Sequence, residues 1–509
     1  MKTIRKRYAG IIRAATVGVS VILQVVFLYL MAVLLKEYSS WFYILLEIVS
    51  VLVVFSMLDE GETYKNSWII IILLLPVFGF CLYFMWGRNR RNSRTYKRVR
   101  EVYEKSRHFR KQDKKIIEKF KEEHPNKALI SQRLINEGFM LYDNTKVTYY
   151  DVGEKKFEAL YEDLKRAQKF IFLEYFIVND GEVWSRIKDI LARKVKEHVE
   201  VRFLYDDFGC LNINTPEFRE ELAVLGIRFS VFSPIHKEAT RLTFNYRNHQ
   251  KIAIIDGNVG YTGGINLSDE YANIIERFGH WKDTAVRLEG SGVWGLTTIF
   301  LEMWEISKGY ENLDYSRYMP TVQIEAKGFV QPLADGPANN PNNPIWDTYM
   351  HMIDKARDYI YFTTPYLVLD REMVNDLCRA AKSGVDVRII TPRKYDKWYV
   401  YMVTVKNYGV LLQNGVKIYE YVPGFIHSKT VVSDDECAIC GSINMDYRSF
   451  YLHYEGGVFM SDTEAVTDIK EDILNTLKVC EEITIDKWKK RPFRQKMIQY
   501  ILRIFSPML

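Results

Sequence analysis

The sequence predicts an α/β chain of two pseudo-symmetric halves that share one active site, preceded by N-terminal transmembrane helices. Three observations carry this expectation. After residue 134, strand-like runs rich in Ile, Val, Phe and Tyr alternate with helical patterns, the layering of α/β proteins. A polar constellation in the middle of the chain recurs near its end at unchanged spacing. The first ninety residues hold three apolar stretches close to the length that crosses a bilayer as a helix. With 509 residues, 48% of them hydrophobic and 14% aromatic, the chain is too long for one ordinary core and too apolar to be disordered, so two or more domains are expected.

The membrane region is assigned to residues 1–87, with spans at Ala14 to Leu35, Trp41 to Leu58 and Trp68 to Trp86. Trp41, Trp68 and Trp86 stand at span ends, where amphipathic rings favour the interface. The start "MKTIRKR" and the first apolar run imitate a signal peptide, but no small-residue cleavage site follows before the next span, so all three are expected to be retained. Residues 88–134 form a basic linker that begins with "RNRRNSRTYKRVR". Directly after an apolar segment, such a run suits anionic lipid headgroups better than nucleic acid. The charges at Lys2, Arg5, Lys6 and Arg7 also favour the cytoplasm, yet three crossings put the two basic signals on opposite sides. Taking the last two spans as a hairpin through Asp59 to Glu62, and the later run as the stronger signal, predicts a multi-pass protein of the cell membrane with a cytoplasmic catalytic region. Glu47 in the second span is either functional, as intramembrane carboxylates usually are, or a protonated or helix-paired side chain near the interface.

Six cysteines give no disulfide framework in a chain of this length. Cys437 and Cys440 form a CxxC, but no second pair stands nearby, and "CAIC" fits small apolar strand residues leading into "GSIN". Core packing is the expectation.

The two halves are expected at 135–325 and 326–484, with a basic amphipathic helix at 485–509. "AQKFIFLEYFI" (Ala167 to Ile177) is echoed by "ARDYIYFTTPYL" (Ala356 to Leu367), and "VEVRFL" (Val199 to Leu204) by "VDVRII" (Val385 to Ile390). "HQKIAIIDGNVGYTGGIN", His249 to Asn266, recurs as "HSKTVVSDDECAICGSIN", His427 to Asn444. His249 and His427, Lys251 and Lys429, Asp256 and Asp434, Gly263 and Gly441, and Asn266 and Asn444 are all separated by 178 positions. One HxKxxxxD is a weak pattern; two that share downstream Gly and Asn are a strong one.

In a strand, residues i and i+2 point to one face, so each histidine projects with its lysine at the mouth of an apolar run. If the halves meet across a pseudo-two-fold axis, two imidazoles, two ammonium groups and two carboxamides converge on one pocket suited to a phosphodiester. One neutral imidazole attacks phosphorus, and the other, protonated, donates to the departing alkoxide. Lys251, Asn266, Lys429 and Asn444 would hold the non-bridging oxygens. No metal or other cofactor is expected, since no further His and carboxylate cluster has ligand spacing. Each histidine also needs a carboxylate to fix its tautomer; Asp283 in "HWKDTAVRL" and Glu455 in "HYEGGVFM" are the candidates. Asp256 and Asp434 end their strands, where Asp commonly closes a turn.

These paired motifs resemble the two HKD signatures of the phospholipase D superfamily, from about Ile135 to the carboxyl terminus. The details are similar to its bacterial cardiolipin synthase branch: the membrane hairpin ahead of the catalytic region, "NYRNHQKIAIIDG", "FTTPYL", "LLQNGVKIYEYVPGFIHSK", "GSINMDYRSF" and the closing "SPML". The resemblance implies two phospholipase D-type domains around a shared site. The implied reaction turns two phosphatidylglycerol molecules into cardiolipin and glycerol, without nucleotide or metal. It further implies His249 as the nucleophile that forms a phosphatidyl-histidine and His427 as general acid and then base. The lysines and asparagines become phosphate ligands, Asp283 and Glu455 the orienting acids, and Asp256 and Asp434 members of the catalytic signatures. His453 departs from the family's usual Asn. A hydrolytic phospholipase D, another phosphatidyltransferase such as a phosphatidylserine synthase, and an inactive membrane scaffold are the alternatives; the membrane hairpin disfavours a nuclease. Phosphatidylglycerol and membrane lipids are the expected partners, nucleic acid is not, and the sequence leaves the oligomeric state open.

Overall fold

The computed structural model describes residues 94–504 except 235–245, 310, 312, 340 and 341, together with 39–56, 65–74 and the single positions 26, 29, 33, 79 and 83. The chain divides into two compact units, Met1–Arg91 with Ile235–Asn245, and Asn92–Pro234 with Tyr246–Leu509. In the first unit the second expected span is a helix, Ser39–Ser56, and the third begins as a helix, Lys65–Leu74. Among the described residues no helix is long and apolar enough to cross a membrane. The first expected span and the closing "SPML" lie almost wholly outside the described residues. Glu47 is half-buried on its helix.

The second unit holds both halves of the repeat. The first half contributes β1 (Thr145–Tyr150), β2 (Phe170–Tyr175), β3 (Glu200–Asp206), β4 (Arg228–Phe232), β5 (Arg247–Asn248), β6 (Lys251–Ile255), β7 (Val259–Gly263), β8 (His280–Lys282) and β9 (Ala285–Gly290). The second contributes β10 (Phe329–Asp335), β11 (Tyr359–Thr363), β12 (Leu367–Val368), β13 (Asp386–Pro392), β14 (Lys417–Tyr421), β15 (Gly424–Ile426), β16 (Thr430–Ser433), β17 (Cys437–Gly441), β18 (Met445–Asp446), β19 (His453–Ser461) and β20 (Cys480–Ile483). One sheet runs β1-β9-β7-β6-β2-β3-β4 and the other β10-β19-β17-β16-β11-β13-β14-β20. The order β7-β6-β2-β3 corresponds to β17-β16-β11-β13, which is the repeat in three dimensions.

The continuous apolar runs follow from burial on both faces. On β6, Ile252 and Ile254 face a central core shared by the two sheets, while Ala253 and Ile255 face an outer core under helices of the first half. On β16, Val432 faces the central core and Val431 an outer one. Helices Val293–Lys308 and Glu464–Leu477 complete the central layer. The CxxC behaves likewise. Cys440 faces the central core and Cys437 the outer one, because i and i+3 of a strand point to opposite faces. The two thiols therefore cannot converge, and burial pushes both up to about 12. Cys210 and Cys378 are also buried and free; Cys81 lies outside the described residues.

Candidate active site

Two short strands leave their own halves to build the site. β5 pairs in parallel with the start of β19, Arg247 opposite His453 and Asn248 opposite Tyr454. The next residue, His249, is thereby aligned with Glu455, and its backbone N–H donates to the Tyr454 carbonyl at 2.8 Å. In the other direction β15 pairs in parallel with β8, Ile426 opposite Lys282. His427 is thereby aligned with Asp283, and its N–H donates to the Lys282 carbonyl at 2.7 Å. Each half thus carries its histidine to the acid of the other half.

The side chains meet where this register puts them. His249 Nδ1 lies 2.9 and 3.0 Å from the two Glu455 oxygens, and His427 Nδ1 lies 2.6 Å from Asp283 Oδ2. A carboxylate on Nδ1 holds the proton there and leaves the lone pair on Nε2. Glu455 is held in turn by Ser442 Oγ and by Ser449 Oγ at 2.8 Å; Asp283 accepts from the Thr284 N–H at 2.8 Å. The residues between His and Lys also cross over. Gln250 Nε2 donates to the Glu455 carbonyl at 3.1 Å, and Ser428 Oγ lies 2.9 Å from Thr284 Oγ1 and from Thr363 Oγ1.

Both imidazoles are buried, each 7% exposed, in aromatic surroundings. Phe176 stands edge-on to His249 at 4.9 Å, and Tyr271 and Trp281 flank His427 at 5.5 and 5.4 Å. Burial, then the charges of Lys251, Lys429 and His427, hold His249 well below the ordinary imidazole range. Burial and Lys429 lower His427 to about 4 against the pull of Asp283. Burial lowers Lys251 to about 7 and Lys429 to about 8. His249 feels Lys429 and His427, and Lys429 feels Glu455 as well as Asp283, so the two motifs form one electrostatic site. An entering phosphate anion favours the charged form of all four groups.

The remaining candidates are placed as follows. Lys251 Nζ donates to the His249 carbonyl and Lys429 Nζ to the His427 carbonyl, the same contact in both motifs. Asn266 is fully buried; its oxygen accepts from the Ile177 N–H at 3.0 Å and its amide donates to Tyr271 OH at 2.8 Å. Asn444 is 5% exposed, with its side-chain oxygen unpaired. Asp256 and Asp434 sit at the opposite ends of β6 and β16 from the histidines, about 20 Å of extended strand away. Asp256 accepts from the N–H groups of Gln168, Lys169 and Phe170 at 2.7–2.9 Å. Asp434 accepts from those of Arg357, Asp358 and Tyr359, each at 3.0 Å. They fasten the turn after one strand to the start of its neighbour, which is the turn-making role and leaves them remote from the imidazoles.

Sequence reasoning missed Ser442, Ser449, Ser428 and Thr284. The first two lie inside the quoted "GSINMDYRSF", and one signal was present: Ser442 stands where the first motif has Gly264. A Cβ on Gly264 would lie 2.1 Å from Asp283 Oδ1. The shorter acid needs a bare backbone beside it, and the longer one takes a hydroxyl.

Comparison with known proteins identifies the family. Residues 160–276 and 349–477 match the family described as "Cardiolipin synthase, PLD-like domain", and residues 41–88 match "Phospholipase_D-nuclease N-terminal". The chain is 41% identical to an uncharacterized protein of Streptococcus mutans, over 87% of this chain and 96% of the other. It is 36% identical to "Cardiolipin synthase 2" of Bacillus anthracis, over 87% of this chain and 86% of that one. The crystal structure of phosphatidylserine synthase from Haemophilus influenzae has the same fold, with a TM-score of 0.57 at 14% identity, covering 74% of this chain and 97% of that one. With two phospholipase D-like halves and relatives matched along most of its length, the chain belongs to the cardiolipin synthase family.

Proposed function

We propose that the protein is a phosphatidyltransferase that joins two phosphatidylglycerol molecules into cardiolipin and glycerol. The observation that carries this reading is the pair of exchanged contacts, His249 on Glu455 and His427 on Asp283. They give two Nε2 atoms of opposite role in one buried site. His249 Nε2 attacks phosphorus, and the bond from phosphorus to the headgroup glycerol oxygen breaks as His427 delivers a proton to that oxygen. Burial and Lys429 keep His427 neutral without substrate, and the entering phosphate anion favours the protonated form that donates. Glycerol leaves and a phosphatidyl-His249 remains. His427, now neutral, takes the proton from a glycerol hydroxyl of the second phosphatidylglycerol; that oxygen forms the new bond to phosphorus, and the bond to nitrogen breaks. Lys251 and Lys429, with Asn444, bear the charge of the non-bridging oxygens. One phosphodiester replaces another, so no external energy source is required. The aromatic walls support exclusion of water, which would otherwise divert the intermediate to phosphatidic acid.

A lipid substrate asks for a membrane location. The apolar stretches of residues 1–87 support a multi-pass anchor with the catalytic unit on the cytoplasmic side, where the basic linker meets anionic headgroups. The helix Phe493–Ile504 buries Gln499 and part of Leu502 and leaves Phe493, Met497 and Ile501 exposed beside Arg494 and Arg503. That pattern supports contact with a bilayer surface.

The deciding experiment incubates purified protein with phosphatidylglycerol and weighs the lipid products. Cardiolipin and glycerol in equal amounts are expected. Phosphatidic acid without cardiolipin would make the protein a hydrolase, and no lipid turnover would leave only a scaffold.

A further inference from the structure

His249 has an imidazole neighbour that the transfer reaction does not use. His453 opens β19 and shares a face with Glu455, two residues on. Its ring lies 5.6 Å from that of His249, centroid to centroid. Its Nδ1 is 3.7 Å from Glu455 Oε1, too long for a hydrogen bond. Both ring nitrogens are shut off from solvent and have no hydrogen-bond partner, a costly state for a polar group in a folded protein. One ligand atom from each of His249, His453 and Glu455 falls within 4.8 Å of the others.

We infer that these three side chains bind a divalent transition-metal ion of the zinc(II) or cobalt(II) kind, and that the ion switches the enzyme off. Two imidazoles and a carboxylate are a donor set that zinc takes in mononuclear sites. Bond lengths of about 2.0–2.2 Å set neighbouring ligands of a tetrahedral ion about 3.5 Å apart, so small side-chain rotations close the group. The ion satisfies the unpartnered His453 and replaces the hydrogen bond between His249 and Glu455. Coordination through His249 Nδ1 sends that nitrogen's proton to Nε2, because a neutral imidazole ligand carries its one proton on the other nitrogen. The lone pair that attacks phosphorus is then occupied. No electron moves and no other reactant is consumed. Metal binding itself stands on the geometry alone; its inhibitory consequence rests on the proposed function.

The test uses the full chain, purified in detergent and stripped with a chelator. Cobalt(II) is titrated while its visible absorption is recorded, and zinc(II) is titrated by calorimetry. The expected result is one bound ion whose affinity falls at least 10-fold in His453→Asn and does not change in His124→Asn. The latter alters the other such grouping among the described residues, Glu123, His124 and Asp462. Phosphatidylglycerol turnover should fall as zinc(II) is added and return with chelator. Relative to its own metal-free rate, His453→Asn should need at least 10-fold more zinc(II) for the same loss. Equal affinity in the wild type and His453→Asn overturns the inference. His453-dependent binding in a protein without lipid turnover leaves the metal site and removes the functional reading; turnover without such binding does the reverse.

Discussion

His249 Nδ1 lies 2.9 Å from Glu455 Oε1 across 206 residues of chain, and the reciprocal pair, His427 and Asp283, lies at 2.6 Å across 144. The exchange makes each half incomplete. A histidine separated from the other half's acid has no fixed tautomer, so the site exists only where β5 has joined β19 and β15 has joined β8.

Glu455→Gln keeps the size of the side chain and removes the charge that holds the His249 proton on Nδ1. By analogy with carboxylate-to-amide changes behind a catalytic histidine, kcat should fall on the order of 10³–10⁴-fold while the circular dichroism spectrum is unchanged. Trapping with radiolabelled phosphatidylglycerol should show the covalent adduct lost in His249→Ala and slowed in Glu455→Gln. A Glu455→Gln rate within about tenfold of the wild type would remove Glu455 from its orienting role.

The pH dependence follows from the lysines. A lysine holds phosphate only as ammonium, and burial, the largest cause, lowers Lys251 to about 7 and Lys429 to about 8. Below these values both are charged; as pH rises through this window the charge is lost. His249, held below the usual imidazole range, stays neutral throughout. The kcat/KM for phosphatidylglycerol should therefore fall steadily above about pH 4, where His427 loses the proton it must donate, and more steeply between about 7 and 8 as the lysines discharge, well before an ordinary lysine would titrate. Saturating substrate should displace the decline upward, since a bound phosphate favours the charged lysines. A profile flat to pH 9 would deny the lysines this role.

Much of this site was legible in the sequence, for reasons that also mark the limits. The duplicated His and Lys could be read because strand geometry fixes i and i+2 on one face and because the 178-residue offset repeats. Asp283 and Glu455 could be named as acids. Their exchange between halves could not, because it depends on β5 and β8, strands of two and three residues without periodicity of their own. The CxxC was legible once "CAIC" was taken as a strand. Ser442 and Ser449 were not, since a serine that hydrogen-bonds a buried carboxylate has no spacing rule; only the contrast of Ser442 with Gly264 marks it. The lysines' contacts with their own histidine carbonyls were equally hidden.

Gly264→Ala tests that contrast. The new Cβ would lie 2.1 Å from Asp283 Oδ1 and 2.9 Å from its carboxyl carbon, and Asp283 is fully buried and tied to His427 and Thr284. The carboxylate must shift by about 1 Å, and a displacement of that size near the reacting groups costs about 10²-fold in rate. Turnover should drop by that factor with the fold intact. Ser442→Ala, on the other side, removes one hydrogen bond to Glu455 and leaves that to Ser449, so a smaller loss is expected. The reverse ranking would refute the steric account.

Asp256 and Asp434 occupy equivalent turns but carry unequal loads. Each sits at positive φ, 55° and 56°, where Asp is tolerated better than Ala, and each accepts three backbone N–H groups at the start of a neighbouring strand. Asp434 also receives Lys127 Nζ at 3.1 Å, and Lys127 is 1% exposed. Asp256→Ala should lower unfolding free energy by about 2 kcal/mol through the lost acceptor and the strained backbone. Asp434→Ala should cost about 3 kcal/mol, because it also takes the nearer carboxylate from a buried ammonium that keeps the Lys355 carbonyl and Glu436. In a Lys127→Met background the Asp434→Ala loss should shrink toward that of Asp256→Ala, since no buried ammonium then loses a partner. Denaturant unfolding of the four variants separates the terms. Equal losses in the two halves, or no relief from Lys127→Met, would show that the buried ion pair contributes nothing beyond the turn.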